Sequence, residues 1–166
     1  MMRLPRRAPA QTLEASMQTN DRIRAAVEKN PRKMTLQLAR DLGVPEVEVI
    51  RAFPVDRVVE LDIARWEELL RRFEALGSVR VLVSNGAATI EVDGQFGGFS
   101  TAGEFFNVQT DTLDMHIRWR ELAAAFAVEK PGHMDGMATR SFQFFDQTGR
   151  RLQGLPQLWR PDPGRA

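Results

Sequence analysis

The chain of 166 residues is long enough for one domain with a substantial core, and its 43% hydrophobic and 27% charged residues are those of an ordinary globular protein. A net charge of +1 gives no global field toward nucleic acid or an anionic membrane, so a charge-seeking partner would need a local patch. With no cysteine, no tyrosine and two histidines, the chain excludes disulfides, iron–sulfur clusters, thiolate zinc sites, a cysteine nucleophile and a histidine-rich metal centre. No apolar run approaches the roughly 20 residues that span a bilayer. Residues 1–18 carry Arg3, Arg6 and Arg7 with no apolar stretch behind them and are expected to form a disordered leader rather than a secretory signal. Residues 19–159 are expected to be one domain, with a helical module over 19–54 and sheet with helix over 55–159, followed by a loose tail at 160–166.

Helical spacing begins at residues 21–28 through Ile23, Ala26 and Val27. Thr35 opens a second helix with Leu36, Leu38 and Ala39, which Gly43 ends. Pro45 starts a third through Val47, Val49 and Ile50, closed by Phe53 and Pro54. Residues 55–61 read as a strand. Asp62 then caps a helix whose stripe is Ile63, Trp66, Leu69, Leu70 and Phe73, ending before Gly77.

From Val79 the period changes to two. Strands are predicted over 79–83, 87–92, 96–99, 104–109 and 112–119, punctuated by Gly86, Gly94, Gly97, Gly98 and Gly103 as in an antiparallel meander. Alanines at 122–129 favour helix, but the position among strands favours sheet, and strand is the reading taken. Residues 141–145 and 151–158 form a final predicted hairpin about Asp146, Gln147, Thr148 and Gly149.

Chemistry concentrates at residues 103–117 and 130–145. Alternation over 113–119 puts Leu113, Met115, Ile117 and Trp119 on one strand face and Asp114, His116 and Arg118 on the other. His116 is thus displayed beside charges, outside the apolar layer, where an imidazole can ligate a metal or a haem iron. A haem would also need an apolar wall and cations for its propionates. Phe96, Phe99, Phe105, Phe106, Met134 and Met137 are candidates for the wall, and Arg118, Lys130 and Arg140 for the cations. His133, in a Gly- and Pro-rich loop, is a second candidate ligand, and Asp114 is placed to orient His116 or to pair with Arg118.

Other chemistries fare worse. The spacing of Ala39, Gly43 and Val49 fits a helix-turn-helix, yet Glu46 and Glu48 would face phosphates, and residues 21–51 hold seven basic against five acidic side chains, a weak footprint for DNA. A structural or docking pair of helices is the better reading. The glycines at 94–98 lack the setting and the Gly-Lys-Ser/Thr ending of a phosphate loop, and neither a Ser-His-Asp order nor an H-E-x-x-H motif is present.

Several segments resemble the intracellular haem-utilisation carrier family of the HutX/ChuX type, which is related to the repeated halves of the HemS/ChuS haem-trafficking proteins. They are Leu38, Ala39, Leu42, Gly43 and Val44; Gly98 and Phe99; the strand at 103–109; His116 and Ile117; and Met134, Gly136, Met137, Thr139, Ser141, Phe144 and Phe145. The resemblance runs over residues 35–149. It implies an α+β fold with a large antiparallel sheet packed with helices, and a homodimer that imitates the two-repeat relatives. It also implies a cytoplasmic role in receiving, storing or handing on imported haem for iron acquisition, with a haem-transfer partner. His116 falls where family members carry a haem-associated histidine. Some relatives carry a second histidine where this chain has Ser84, and the segment after Gly149 departs from the family's closing strand and helix. The reading is a non-covalent haem carrier rather than a catalyst, with a DNA-binding regulator or an enzyme of haem reduction or degradation as alternatives.

Overall fold

The computed structural model describes residues 10–84, 87–131, 138–152 and 157–160, and no described helix is long and apolar enough to cross a membrane. Three helices open the chain: α1 (Ala10–Lys29), α2 (Thr35–Leu42) and α3 (Glu46–Arg51). Their periodic apolar residues meet in one small core of Ile23, Val27, Leu38, Ala39, Val49 and Phe53. α1 begins at Ala10, so residues 10–18, expected as a disordered leader, are helical. Leu13, Glu14, Ala15, Met17 and Gln18 all favour helix, and no proline stands between Pro9 and Pro31. Gly43, at φ 68°, closes α2 in the left-handed conformation that the spacing predicts.

α3 is held on both sides. Val49 faces the helical core, while Val47 and Ile50 pack on Ala124, Phe126, Val128 and Phe145 of the sheet. Its exposed Arg51 pairs with Glu48 at 3.2 Å and Glu60 at 3.1 Å. The outward side chains of this six-residue helix are Glu48 and Arg51, an acid and a base that pair with each other rather than a basic stripe.

The strands are β1 (Val58–Leu61), β2 (Ser78–Ser84), β3 (Thr89–Gln95), β4 (Phe99–Ala102), β5 (Phe105–Gln109), β6 (Asp114–Arg118), β7 (Ala124–Pro131), β8 (Ala138–Phe145) and β9 (Gln157–Arg160). Six of them form an antiparallel sheet in the order β1-β7-β8-β9-β2-β3, and β4-β5-β6 form a separate antiparallel meander. The fold is α+β, with the expected large sheet and helices plus this second small sheet. α4 (Trp66–Arg72) and the inner face of the small sheet cover one face of the large sheet. There Leu70, Phe73, Phe106, Val108 and Ile117 meet Val79, Val81, Ala125 and Phe144. The N-terminal helices cover part of the opposite face.

Boundaries differ from the sequence reading in ways that have causes. Residues 55–57 turn before β1, following Pro54. The alanine-rich segment is a strand because β7 pairs with both β1 and β8, and two ladders outweigh a weak helical propensity. After the turn at Asp146, Arg151 bridges Phe145 and the last strand is β9, paired between β8 and β2. Of residues 96–99, expected as a strand, 96–98 are instead a corner that leads into β4 at Phe99. Phe96 is fully buried there and Gly98 takes φ 64°, so the chain leaves one sheet and enters the other.

That corner tolerates no side chain at Gly98. A Cβ would lie 1.8 Å from the carbonyl oxygen of Gln109, which is fixed in β5. Gly98→Ala is therefore expected to lower the stability by at least about 2 kcal/mol, from the left-handed backbone and the clash together, read as a lower urea midpoint. An unchanged midpoint would show that the corner can reorient.

Candidate functional site

The meander turns β4 and β5 on Gly103 and pairs β5 with β6 so that Asn107 stands opposite His116 and Phe105 opposite Arg118. One face, with Phe106, Val108, Met115 and Ile117, goes to the core. The other carries two neighbouring cross-strand rows, Ser100, Asn107 and His116, then Ala102, Phe105 and Arg118. Strict alternation thus places His116 outside the core, as the sequence predicts, and its side chain is 56% exposed.

Its two nitrogens have different surroundings. Nδ1 lies 2.7 Å from the side-chain oxygen of Asn107. The Asn107 amide nitrogen donates to Ser100 Oγ at 3.1 Å, and its oxygen faces the ring. A neutral ring that donates from Nδ1 to this oxygen has its lone pair on Nε2. Asp114 Oδ1 is 3.6 Å from Nε2, close enough to attract the ring when it is protonated. The edge of Phe105 meets the imidazole with ring centroids 6.3 Å apart. Arg118 lies over Phe105 at 5.5 Å and reaches Glu104 at 3.8 Å.

Beside this row a cavity of about 350 Å³ separates β6 from the large sheet. Val81 and Val83 of β2 and Val92 of β3 form one wall, and residues 112–116, including Leu113, Met115 and His116, form the other. The imidazole thus borders solvent and a recess lined by the three valines, Leu113 and Met115 together with Thr112 and Asp114. Such a site fits a ligand that is flat and apolar in body, carries a metal centre for one nitrogen, and keeps charged groups in water.

The other sequence candidates are distributed differently. Phe105 and Arg118 adjoin His116. Phe99 does not, because it stacks on Phe106, with ring centroids 5.4 Å apart, on the core side of the small sheet. Phe96 and Phe106 are fully buried, with Phe96 against Phe73, and are core rather than wall. The ammonium of Lys130 donates to the Lys33 carbonyl at 2.7 Å and lies 5.7 Å from the Phe53 ring centroid, so it ties β7 to the helical module. Burial, with the Arg151 charge nearby, holds its pKa below the usual lysine value. Arg140 pairs with Glu129 at 2.9 Å on β8, which β9 separates from β2. Spacing along the chain could not show that these side chains serve other contacts. His133, Met134 and Met137 lie outside the described residues. Ser84 ends β2 opposite Thr89.

Two residues of the site were not anticipated, Asn107 and Ser100. The only trace of Asn107 in the sequence is its polar side chain inside the apolar run Phe105, Phe106, Asn107 and Val108.

The family model for the haemin-degrading HemS/ChuX domain matches residues 43–155. The chain belongs to that family. Solved structures agree in fold with this HemS/ChuX member. A protein from Agrobacterium tumefaciens superposes with a TM-score of 0.75 at 20% identity, over 97% of this chain and 88% of that one. ChuX, described as a haem-binding protein, gives 0.72 at 18% identity over 85% and 86%. ChuS of Escherichia coli O157:H7, described as a haem-degrading enzyme, gives 0.73 at 22% identity over 89% of this chain but 43% of its own. The HemS/ChuX domain here thus corresponds to less than half of ChuS. No curated protein matches the chain.

Proposed function

We propose that the protein binds haem non-covalently through Nε2 of His116, and that it receives, stores or hands on imported haem for iron acquisition. The observation that carries this reading is the asymmetry of one imidazole: Nδ1 is committed to Asn107, while Nε2 lies 3.6 Å from Asp114 Oδ1 on an exposed ring that lines the cavity. A porphyrin supplies four equatorial nitrogens, so its iron needs only axial ligands from a protein. Among the described residues no group of three or more His, Asp or Glu side chains is placed to hold a bare metal ion, whereas a single imidazole suits an iron that arrives already chelated. Bound haem would supply its own redox and ligand chemistry. The chain would contribute the axial nitrogen, the valine and methionine wall, and the Arg118 cation beside Phe105.

Haem is the chemistry common to the family description and to the descriptions of ChuX and ChuS. One exposed neutral imidazole suits reversible loading and release. We assign the protein to the cytoplasm, with a haem-transfer partner and as a homodimer. Among the described strands β1, β3, β4 and β6 are sheet edges, where pairing with a second copy would extend a sheet.

The test is titration of the purified apoprotein with haemin, followed by incubation of the loaded protein with a reductant in air. A Soret shift that saturates at one haem per chain, and persists as intact haem under reductant, is the expected result. No Soret shift would overturn haem binding. Bleaching with release of iron and an open tetrapyrrole would replace the carrier with an enzyme of haem degradation.

A further inference from the structure

We infer that Asn107 is the positioning residue of the site: oriented by Ser100, it holds His116 in the Nδ1–H tautomer so that Nε2 is presented to the haem iron. This rests on the proposed role of His116. Asn107 lies on the open face of the small sheet yet is only 8% exposed, because the row around it closes over its amide. Each polar atom of that amide has a defined partner, the nitrogen on Ser100 at 3.1 Å and the oxygen on His116 Nδ1 at 2.7 Å.

Three strands are needed to build this row. Ser100 comes from β4, Asn107 from β5 and His116 from β6, in cross-strand register. The hydroxyl fixes where the amide sits, and in the orientation present the nitrogen engages Ser100 and the oxygen faces the ring. A flipped amide would offer an N–H to Nδ1, force the proton onto Nε2 and block the ligand lone pair. The histidine side chain in water favours the Nε2–H form, so the row must reverse an intrinsic preference. Asp114, 3.6 Å from Nε2, would reinforce the unwanted tautomer if the row were absent. Outer partners of metal-bound histidines commonly fix tautomer and ring orientation in this manner, and their loss costs about 10–100-fold in affinity.

The experiment uses the full chain in four forms, wild type, Asn107→Leu, Asn107→Asp and His116→Ala, each checked for wild-type circular dichroism. The first readout is the histidine nitrogen NMR of the apoprotein. Wild type and Asn107→Asp are expected to show the Nδ1–H form of His116, and Asn107→Leu the Nε2–H form. The second readout is haemin titration, in which Asn107→Leu should bind about 10–100-fold more weakly and Asn107→Asp at least as well as wild type. The third is the iron–imidazole stretch of the ferrous haem complex. It should rise in Asn107→Asp, where the acceptor is an anion, and fall in Asn107→Leu. A side chain that merely supports the strand would not reverse the tautomer or move that frequency in opposite directions.

An Nδ1–H tautomer in Asn107→Leu, or wild-type haemin affinity in that variant while His116→Ala loses binding, overturns the role of Asn107 and leaves His116 standing. If Asn107→Leu does not fold, an Asn107→Asp variant with the Nε2–H tautomer overturns it equally. A wild-type protein that does not bind haemin, or a His116→Ala variant that binds normally, removes the reading beneath it instead.

Discussion

Replacing Arg151 by methionine is expected to destabilise the protein by about 3–5 kcal/mol. Arg151 follows the turn at Asp146 and sends its guanidinium under the helical module, where it donates to Thr35 Oγ at 2.8 Å and to Glu46 Oε1. The Thr35 hydroxyl donates to the same carboxylate oxygen at 2.6 Å. Glu46 is 3% exposed, and its other oxygen, Oε2, has no hydrogen-bond partner. Burial pulls the Arg151 pKa below its ordinary value, against the attraction of Glu46, but a guanidinium remains charged at any working pH.

The pair therefore joins residues 105 positions apart and fastens the sheet to α2 and α3. Methionine keeps the volume and removes the charge, leaving a buried carboxylate uncompensated. The double variant Arg151→Met, Glu46→Gln should recover most of the loss, because the stranded charge is gone. Urea denaturation of the single and double variants checks both statements. A single variant less than about 1 kcal/mol below wild type would show that the contact does not hold the module in place.

This cross-link marks where sequence reading reaches its limit. Period-two alternation over 113–119 located the exposed histidine correctly, because alternation is a local steric property of a strand. The stripe from Ile63 to Phe73 and the end of α2 at Gly43 were legible for the same kind of reason, whereas β7 was read against its local propensity from its position among strands. The corner at Phe96–Gly98 was not, since its alternating apolar residues look like a strand while the left-handed Gly98 redirects the chain into a different sheet. Lys130 and Arg140 were charged residues near a suggestive motif, and only tertiary placement shows that one serves the helical module and the other Glu129. Ser100, Asn107 and His116 are seven and nine positions apart and become a row only through the register of two hairpins. Val81, Val83 and Val92 read as ordinary core, and it is the gap between the two sheets that makes them a cavity wall.

His116→Gly is expected to lower haemin affinity by more than about 100-fold, beyond the upper end of what losing an outer partner alone costs. The direct bond from Nε2 to iron is removed, and nothing else in the described part of the open face can replace it. Asp114 and Arg118 flank the vacated position on the same strand, the first a hard anionic donor and the second a cation without a lone pair. The fold should survive, because His116 packs no side chain into the core and a glycine in a strand costs about 1 kcal/mol or less. Removal of the ring also leaves a gap lined by Asn107 and Phe105, whose contacts with His116 are a hydrogen bond and a ring edge. Free imidazole supplied in solution can occupy that gap, donate to Asn107 and coordinate iron with its second nitrogen. Haemin binding by His116→Gly should thus return on addition of imidazole, with a Soret position like that of wild type, while N-methylimidazole, which has no N–H for Asn107, should rescue poorly. Binding by His116→Gly at wild-type affinity without imidazole would place the iron elsewhere. Equal rescue by both imidazoles would keep the iron at this position and deny Asn107 its part.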